Sequence, residues 1–187
     1  ARGRMLYQTD YLPVLAFALQ PACEHVAAYF GDDVREGDVI LHNDVFSGGN
    51  QNNDVAVFRP IFRSGVLVAW AACKGHQADI GGAQAGGYNP EAREVWQEAL
   101  RIPPLKVHEA GKLRRDVWRM IFANIRYPIV EEDIKAQIGA TRIGERGMHE
   151  LFERFDQPTF DACIEYLFAA SERMVRREIA AIPDGRY

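Results

Sequence analysis

Cysteine is scarce and odd in number: Cys23, Cys73 and Cys163 lie far apart, and no CxxC occurs. That excludes a disulfide framework and a zinc knuckle, and it suits reduced thiols in the cytoplasm. Long apolar runs are also missing. The longest, "VLVAWAAC" and "VLAFAL", fall far short of the roughly 20 residues that cross a bilayer, so no membrane is expected as a partner. Basic charge is not in excess, with 22 Lys and Arg against 26 Asp and Glu and a net charge of −4. No overall field recruits nucleic acid. Neither GxxxxGK[ST] nor GxGxxG occurs, so nucleotide phosphate has no recognised loop here. No repeat or low-complexity linker interrupts the chain. The opening "ARGRMLYQTDYLP" carries charge but no apolar stretch ending in a cleavage site, so no leader is expected within it.

What is present is enough chain for one core, 187 residues with ordinary apolar and charged usage. Short strands and turns fill the first half. "VILH", "VAVFRPIF" and "VLVAWAAC" read as strands, the last two joined by a tight turn at "RSG". Pro60 places its strand at a sheet edge or at a bulge. Residues 21–30 have apolar spacing for a helix. The second half reads as helical: residues 90–100, a stretch carrying Leu113, Val117, Met120, Ile121 and Ile125, a helix opened by Glu131, Glu132 and Asp133, and a last helix over 158–182. The two prolines of "RIPPLKVHEAGK" predict an extended loop there. The expected architecture is α+β, one segment whose residues 1–90 are strand-rich and whose residues 91–187 are mainly a helical scaffold. Ile164, Leu167, Phe168 and Val175 are expected to form a buried stripe on the last helix. "ARGRMLYQ" resembles part of a hairpin and "PDGRY" the approach to a strand, so a segment of a larger subunit is expected.

Three polar stretches lie at strand ends: "LHNDVFSGGNQNND", "KGHQADIGGAQAGG" and "PPLKVHEAGK". They hold His42, Asp44, Asp54, His76, Asp79, His108 and Glu109. Imidazole and carboxylate together suit a divalent metal such as zinc, manganese or iron. The spacing of His76 and Asp79 allows both to reach one ion, and the glycines behind them let the backbone turn and leave room for a substrate. Plainer readings stand beside this. Asp44 after Asn43 fits an Asx turn, Asp54 fits a cap or turn, and the glycine-rich loops fit a phosphate cradle. Cys73 fits a buried, inert thiol. The basic stretch "KLRRDVWRM" fits a solvated helix or a subunit contact better than a nucleic-acid surface.

"GDVILHNDVFSGG", "CKGHQADIGG", "EALRIPPLKVHEAGK", "IFANIRYP", "KAQIGATRIGERGMHELFERF" and "PDGRY" resemble, in order, successive blocks of the hydantoinase B family. That family includes subunits of ATP-dependent hydantoinases and oxoprolinases and the related large subunits of acetone and acetophenone carboxylases. The resemblance implies a hetero-oligomer in which a hydantoinase A-like partner binds ATP and phosphorylates a small-molecule substrate. The B-type subunit then completes ring opening of a cyclic amide, or carboxylation of a ketone. It implies metal ligands at Asp44, His76 and Asp79, with His108 added more weakly, and catalytic roles for His76 and Asp79. The chain departs from the family at Gln51 and Gln77, where many relatives have His, and at His108, where many have Tyr. The alternative expectation is a non-catalytic structural or assembly segment of such a complex.

Overall fold

The computed structural model describes residues 4–9 and 12–186. Helices α1 (Pro13–Phe17) and α2 (Leu19–Phe30) come first, and a sheet follows. Strand β1 (Val39–His42) leads through a 3-10 turn (Val45–Ser47) into β2 (Asp54–Arg63) and β3 (Val66–His76). A short α3 (Val95–Glu98) precedes β4 (Leu105–Glu109) and β5 (Lys112–Leu113). Three helices end the chain: α4 (Arg115–Phe122), α5 (Ile129–Arg154) and α6 (Gln157–Ala180). Among the described residues no helix is long and apolar enough to cross a membrane.

The sheet is antiparallel, in the order β3-β2-β1-β4-β5. Ser64 and Gly65 turn β2 into β3, both with positive φ, which is the hairpin geometry whose twist matches the strands. Alternation along β1 and β2 builds two cores. Ile40, Ala56 and Phe58 meet Ala22 and Val26 of α2. Val39, Leu41, Val55 and Val57 face the other way, toward Trp118 and Ile121 of α4 and Val130 and Ile134 of α5. Burying a side chain the size of Phe58 contributes about 1.5–3 kcal/mol, and both faces of the central strands are covered. Glu131 and Glu132 lie in the first turn of α5, where the helix dipole favours acids.

Several expectations change. β4 and β5 form in the stretch expected to be an extended loop, because the prolines end just before Leu105 and the following residues find β1 as a partner. They join the same sheet although they come from beyond residue 90. The β1–β2 pairing ends at Phe58, short of Pro60, so the missing N–H withdraws nothing from that ladder. Only Val95–Glu98 is α-helical in the 90–100 region. Leu113 belongs to β5, and Met120 is exposed. The hairpin expected at residues 1–8 has its first three residues outside those described, and residues 4–8 carry no strand.

By internal packing the chain divides into two units, residues 1–148 and 149–187. Both apolar cores belong to the first. Within the second, Phe152 meets Phe160 edge to face at 5.0 Å. The buried stripe expected on α6 does not form: no α6 residue is fully buried, and Leu167 and Val175 are 52% and 57% exposed. A single helix leaving a helix end has no second layer within its own unit to cover that face.

Ile121→Ala should therefore cost about 2–5 kcal/mol in urea unfolding of the 187-residue chain, because Ile121 is fully buried. Leu167→Ala should cost less than about 0.5 kcal/mol. Equal losses would show that α6 is packed as a core helix.

Candidate active site

The β2–β3 ladder ends with Asp54 opposite His76. Asp54 has no exposed surface. Its Oδ1 lies 2.7 Å from His76 Nδ1 and accepts from Gln51 Nε2 at 3.2 Å, while Oδ2 accepts from Asn50 Nδ2. A carboxylate only accepts, so the 2.7 Å contact with Asp54 assigns the imidazole hydrogen to Nδ1, and the Gln51 amide, also 3.2 Å from Nδ1, donates to Asp54. Nε2 is left as the open nitrogen of a side chain that is half exposed.

Alternation carries a polar row along the same face. Ala56 pairs with Lys74 on one side and His42 on the other. Lys74 Nζ donates to Asn50 Oδ1 at 2.5 Å. Its ammonium is held below the usual lysine range, chiefly by burial, against the attraction of Asp54. His42 is 1% exposed, with Nε2 3.0 Å from Ser47 Oγ and its ring centroid 6.2 Å from that of His25. Burial pushes its pKa down to about 4, aided by His25 and Lys74 and opposed by Asp44. The row thus runs Asp44, His42, Lys74, Asp54, His76, beneath the 47–54 loop. That loop lies hard against α2: a Cβ at Gly48 would come within 2.8 Å of Ala22 N.

The structure gives His76 a different carboxylate partner from the one the HxxD spacing suggests. Asp79 has no exposed surface and faces the other way, accepting from Arg126 N at 2.5 Å, Arg126 Nη1 at 2.9 Å and Gly81 N at 3.2 Å. Arg126 also donates to Gly82 O at 2.5 Å. At Gly82 itself a Cβ would meet Glu98 O at 2.5 Å, and φ is +83°. These contacts close the 79–82 turn onto the chain between α4 and α5.

Asp44 is gripped by Arg101 through Nε and Nη2, each at 3.0 Å, and caps Phe46 N at 3.1 Å. Burial alone would raise its pKa, but Arg101 and the Phe46 N–H outweigh burial and hold it below the usual carboxylate range. Asn43 binds the same loops. Its amide donates to Asn52 O at 2.6 Å and Leu100 O at 2.9 Å and accepts from Ile102 N at 2.6 Å. His108 sits on β4 beside a separate cleft. Burial, and then Arg59, hold its pKa below the usual histidine range.

The four expected ligands therefore occupy four separate contacts. Among the described residues no group of three or more His, Cys, Asp or Glu is gathered so that it could hold a metal. Gln51 joins the Asp54–His76 pair, and Gln77 turns away to Gln137 Oε1 at 3.1 Å. Lys74, Arg101 and Arg126 are partners that sequence reasoning did not place, and Asp54, named there as a cap or turn residue, is instead the partner of His76. Counting back from the "RSG" turn in simple register would set Asp54 opposite Gly75; a one-residue shift between Ile61 and Phe62 brings His76 there instead, and the sequence gives no sign of it.

Because folded His42 titrates near 4 and unfolded His near 6.5, the unfolded state binds more protons between those values. Stability due to neutral His42 is complete above pH 6.5 and falls as pH drops toward 4. By pH 4.5 the loss should reach about 2–3 kcal/mol. Urea unfolding at pH 7 and 4.5 should show wild type losing about that much more than His42→Gln, and identical losses would contradict the reading.

The hydantoinase B/oxoprolinase family profile matches residues 1–187. The chain is 41% identical over 184 residues to the beta subunit of caprolactamase from Pseudomonas jessenii, covering 98% of this chain and 32% of that protein. It is 35% identical over 158 residues to the B subunit of a putative D-/L-hydantoinase from a Pseudomonas species, covering 83% and 27%. The crystal structure of the ATP-dependent caprolactamase from Pseudomonas jessenii superposes with a TM-score of 0.90 over 97% of this chain and 31% of that one. The chain thus spans about a third of the length of these relatives. With its whole length matched by the profile and its fold shared with the caprolactamase, the chain belongs to the hydantoinase B/oxoprolinase family.

Proposed function

We propose that this chain is part of the B-type subunit of an ATP-dependent complex that opens a cyclic amide with water, and that His76 is its acid–base group. The carrying observation is the Asp54–His76 pair at 2.7 Å, with the imidazole half exposed at the end of a rigid hairpin. The similarity to subunits of a caprolactamase and a hydantoinase favours ring opening over ketone carboxylation.

The roles follow from the hydrogen bonds. Asp54 holds the Nδ1–H tautomer and stabilises the imidazolium that forms when Nε2 takes a proton from water. Nε2 can then return that proton to the leaving nitrogen as the C–N bond breaks, and a second water releases inorganic phosphate from the acyl phosphate that remains. Gln51 and Asn50 satisfy the rest of the carboxylate, so Asp54 is a positioning residue. Activation of the amide by phosphorylation falls to an ATP-binding, hydantoinase A-like partner. The divalent metal implied by the family does not fit the expected donors of this chain. Asp44 and Asp79 are committed to guanidiniums, and His76 offers one open nitrogen, so no step is assigned to a metal. Asp79 is instead read as the residue that fixes the turn behind His76.

The test is an assay of ATP-driven lactam and hydantoin opening by the assembled complex. His76→Ala should lower kcat by about 10²–10⁴ with circular dichroism and assembly unchanged, and Asp54→Asn should move it in the same direction. A change of less than about threefold in both would place the chemistry elsewhere. Incorporation of bicarbonate in place of ring opening would select the carboxylase reading.

A further inference from the structure

A second cleft, of about 430 Å³, lies on the α4–α5 side of the sheet and is lined by residues of β4, β5, α4 and α5. Its size is that of a small-molecule site. Leu113, Trp118 and Ile138 supply apolar wall, Arg115, Arg119 and Lys135 supply positive charge, and Glu131 is the one carboxylate in the lining. Lys135 is already paired with Glu131 at 2.9 Å and Glu132 at 2.8 Å, and Glu131 also accepts from Trp118 Nε1 at 3.0 Å. The neighbouring Arg114, outside the lining, is paired with Glu109 and Asp116. Among the described residues Arg115 and Arg119 have no carboxylate partner.

That arrangement opposes local rules. Arg115 and Arg119 are four residues apart on one helix face, where like charges repel. Arg115 also opens α4, at the end where the dipole disfavours a cation. The chain carries a net charge of −4, so carboxylates are plentiful, yet none of the described ones is paired with these two. A bound anion between the two guanidiniums would relieve both conflicts. The apolar wall selects an anion with a hydrocarbon body.

We propose that this cleft binds a small organic carboxylate, its carboxylate held between Arg115 and Arg119 and its hydrocarbon body against Leu113, Trp118 and Ile138. The site uses none of the residues assigned to the Asp54–His76 end of the sheet. A guanidinium fork accepts carboxylate and phosphate alike, so the body of the ligand is what distinguishes this site.

The test is calorimetric titration of the full chain with hexanoate, hexylamine and inorganic phosphate, with amide chemical shifts recorded in parallel. Hexanoate should bind saturably with a Kd of about 1 mM, in keeping with its few heavy atoms. It should shift amides of α4 and β5, while hexylamine does not bind. Arg115→Gln combined with Arg119→Gln should weaken hexanoate at least about tenfold with circular dichroism unchanged. Should that double variant fail to fold, Ile138→Glu, which places an acid in the cleft, should abolish hexanoate binding. Unaltered hexanoate binding in the variants, binding of hexylamine, or phosphate binding as tight as hexanoate would overturn the proposal.

Discussion

The antiparallel register of β2 and β3 is the constraint on which the candidate site rests. A two-residue turn closes it at one end, a one-residue shift between Ile61 and Phe62 resets it, and Asp54 meets His76 at the other end. Because side chains alternate, a slip of one residue would move Asp54 opposite a neighbour of His76 and turn every apolar residue of the ladder to the wrong face. Phe58 and Ala56 need α2, and Val55 and Val57 need α4 and α5. The same hydrophobic burial that holds the sheet together therefore sets a carboxylate against an imidazole. A buried Asp54 without His76, Asn50 and Gln51 would be a costly unpaired group.

Around that ladder, the loops are fixed by polar clamps. Asn43 binds the 100–102 segment and Asn52, Arg101 binds Asp44, and Arg126 binds Asp79. Each joins stretches distant in sequence, beside the buried apolar residues Ile80 and Ile102 that anchor two of these loops in the core. Removing Arg126 leaves the buried Asp79 carboxylate without its charge partner, which destabilises the fold. Lys106 plays a similar part on the opposite strand, bridging Asp33 and Asp38 from a nearly buried position. Geometry at the candidate site thus depends on residues that lie outside it.

The strands and the Ser64–Gly65 turn were legible because alternation, apolar runs and turn residues all agree there. β4 was not, because Pro103 and Pro104 dominate a local reading, while the partner that makes Leu105–Glu109 a strand lies in β1. The α6 stripe was misread as buried because periodicity reports an apolar face and not what covers it. At the site, the crowding of His and Asp at strand ends was visible. The partnerships were not. Asp54 is 22 residues from His76, and Arg126 is 47 from Asp79, so spacing favoured the nearer Asp79 over the residue that pairing delivers. Residues such as Arg101 carry no signal at all until the loops close.

The central claim is that Asp54 fixes the Nδ1–H tautomer of His76 and leaves Nε2 free to accept a proton. Nitrogen-15 spectra of histidine-labelled protein measure this directly, since the chain has five histidines and a His76→Gln variant assigns the resonance. Neutral His76 should show a protonated Nδ1 and an unprotonated Nε2, and Asp54→Asn should disturb that balance. A neutral His76 protonated at Nε2, indifferent to Asp54→Asn, would contradict the account.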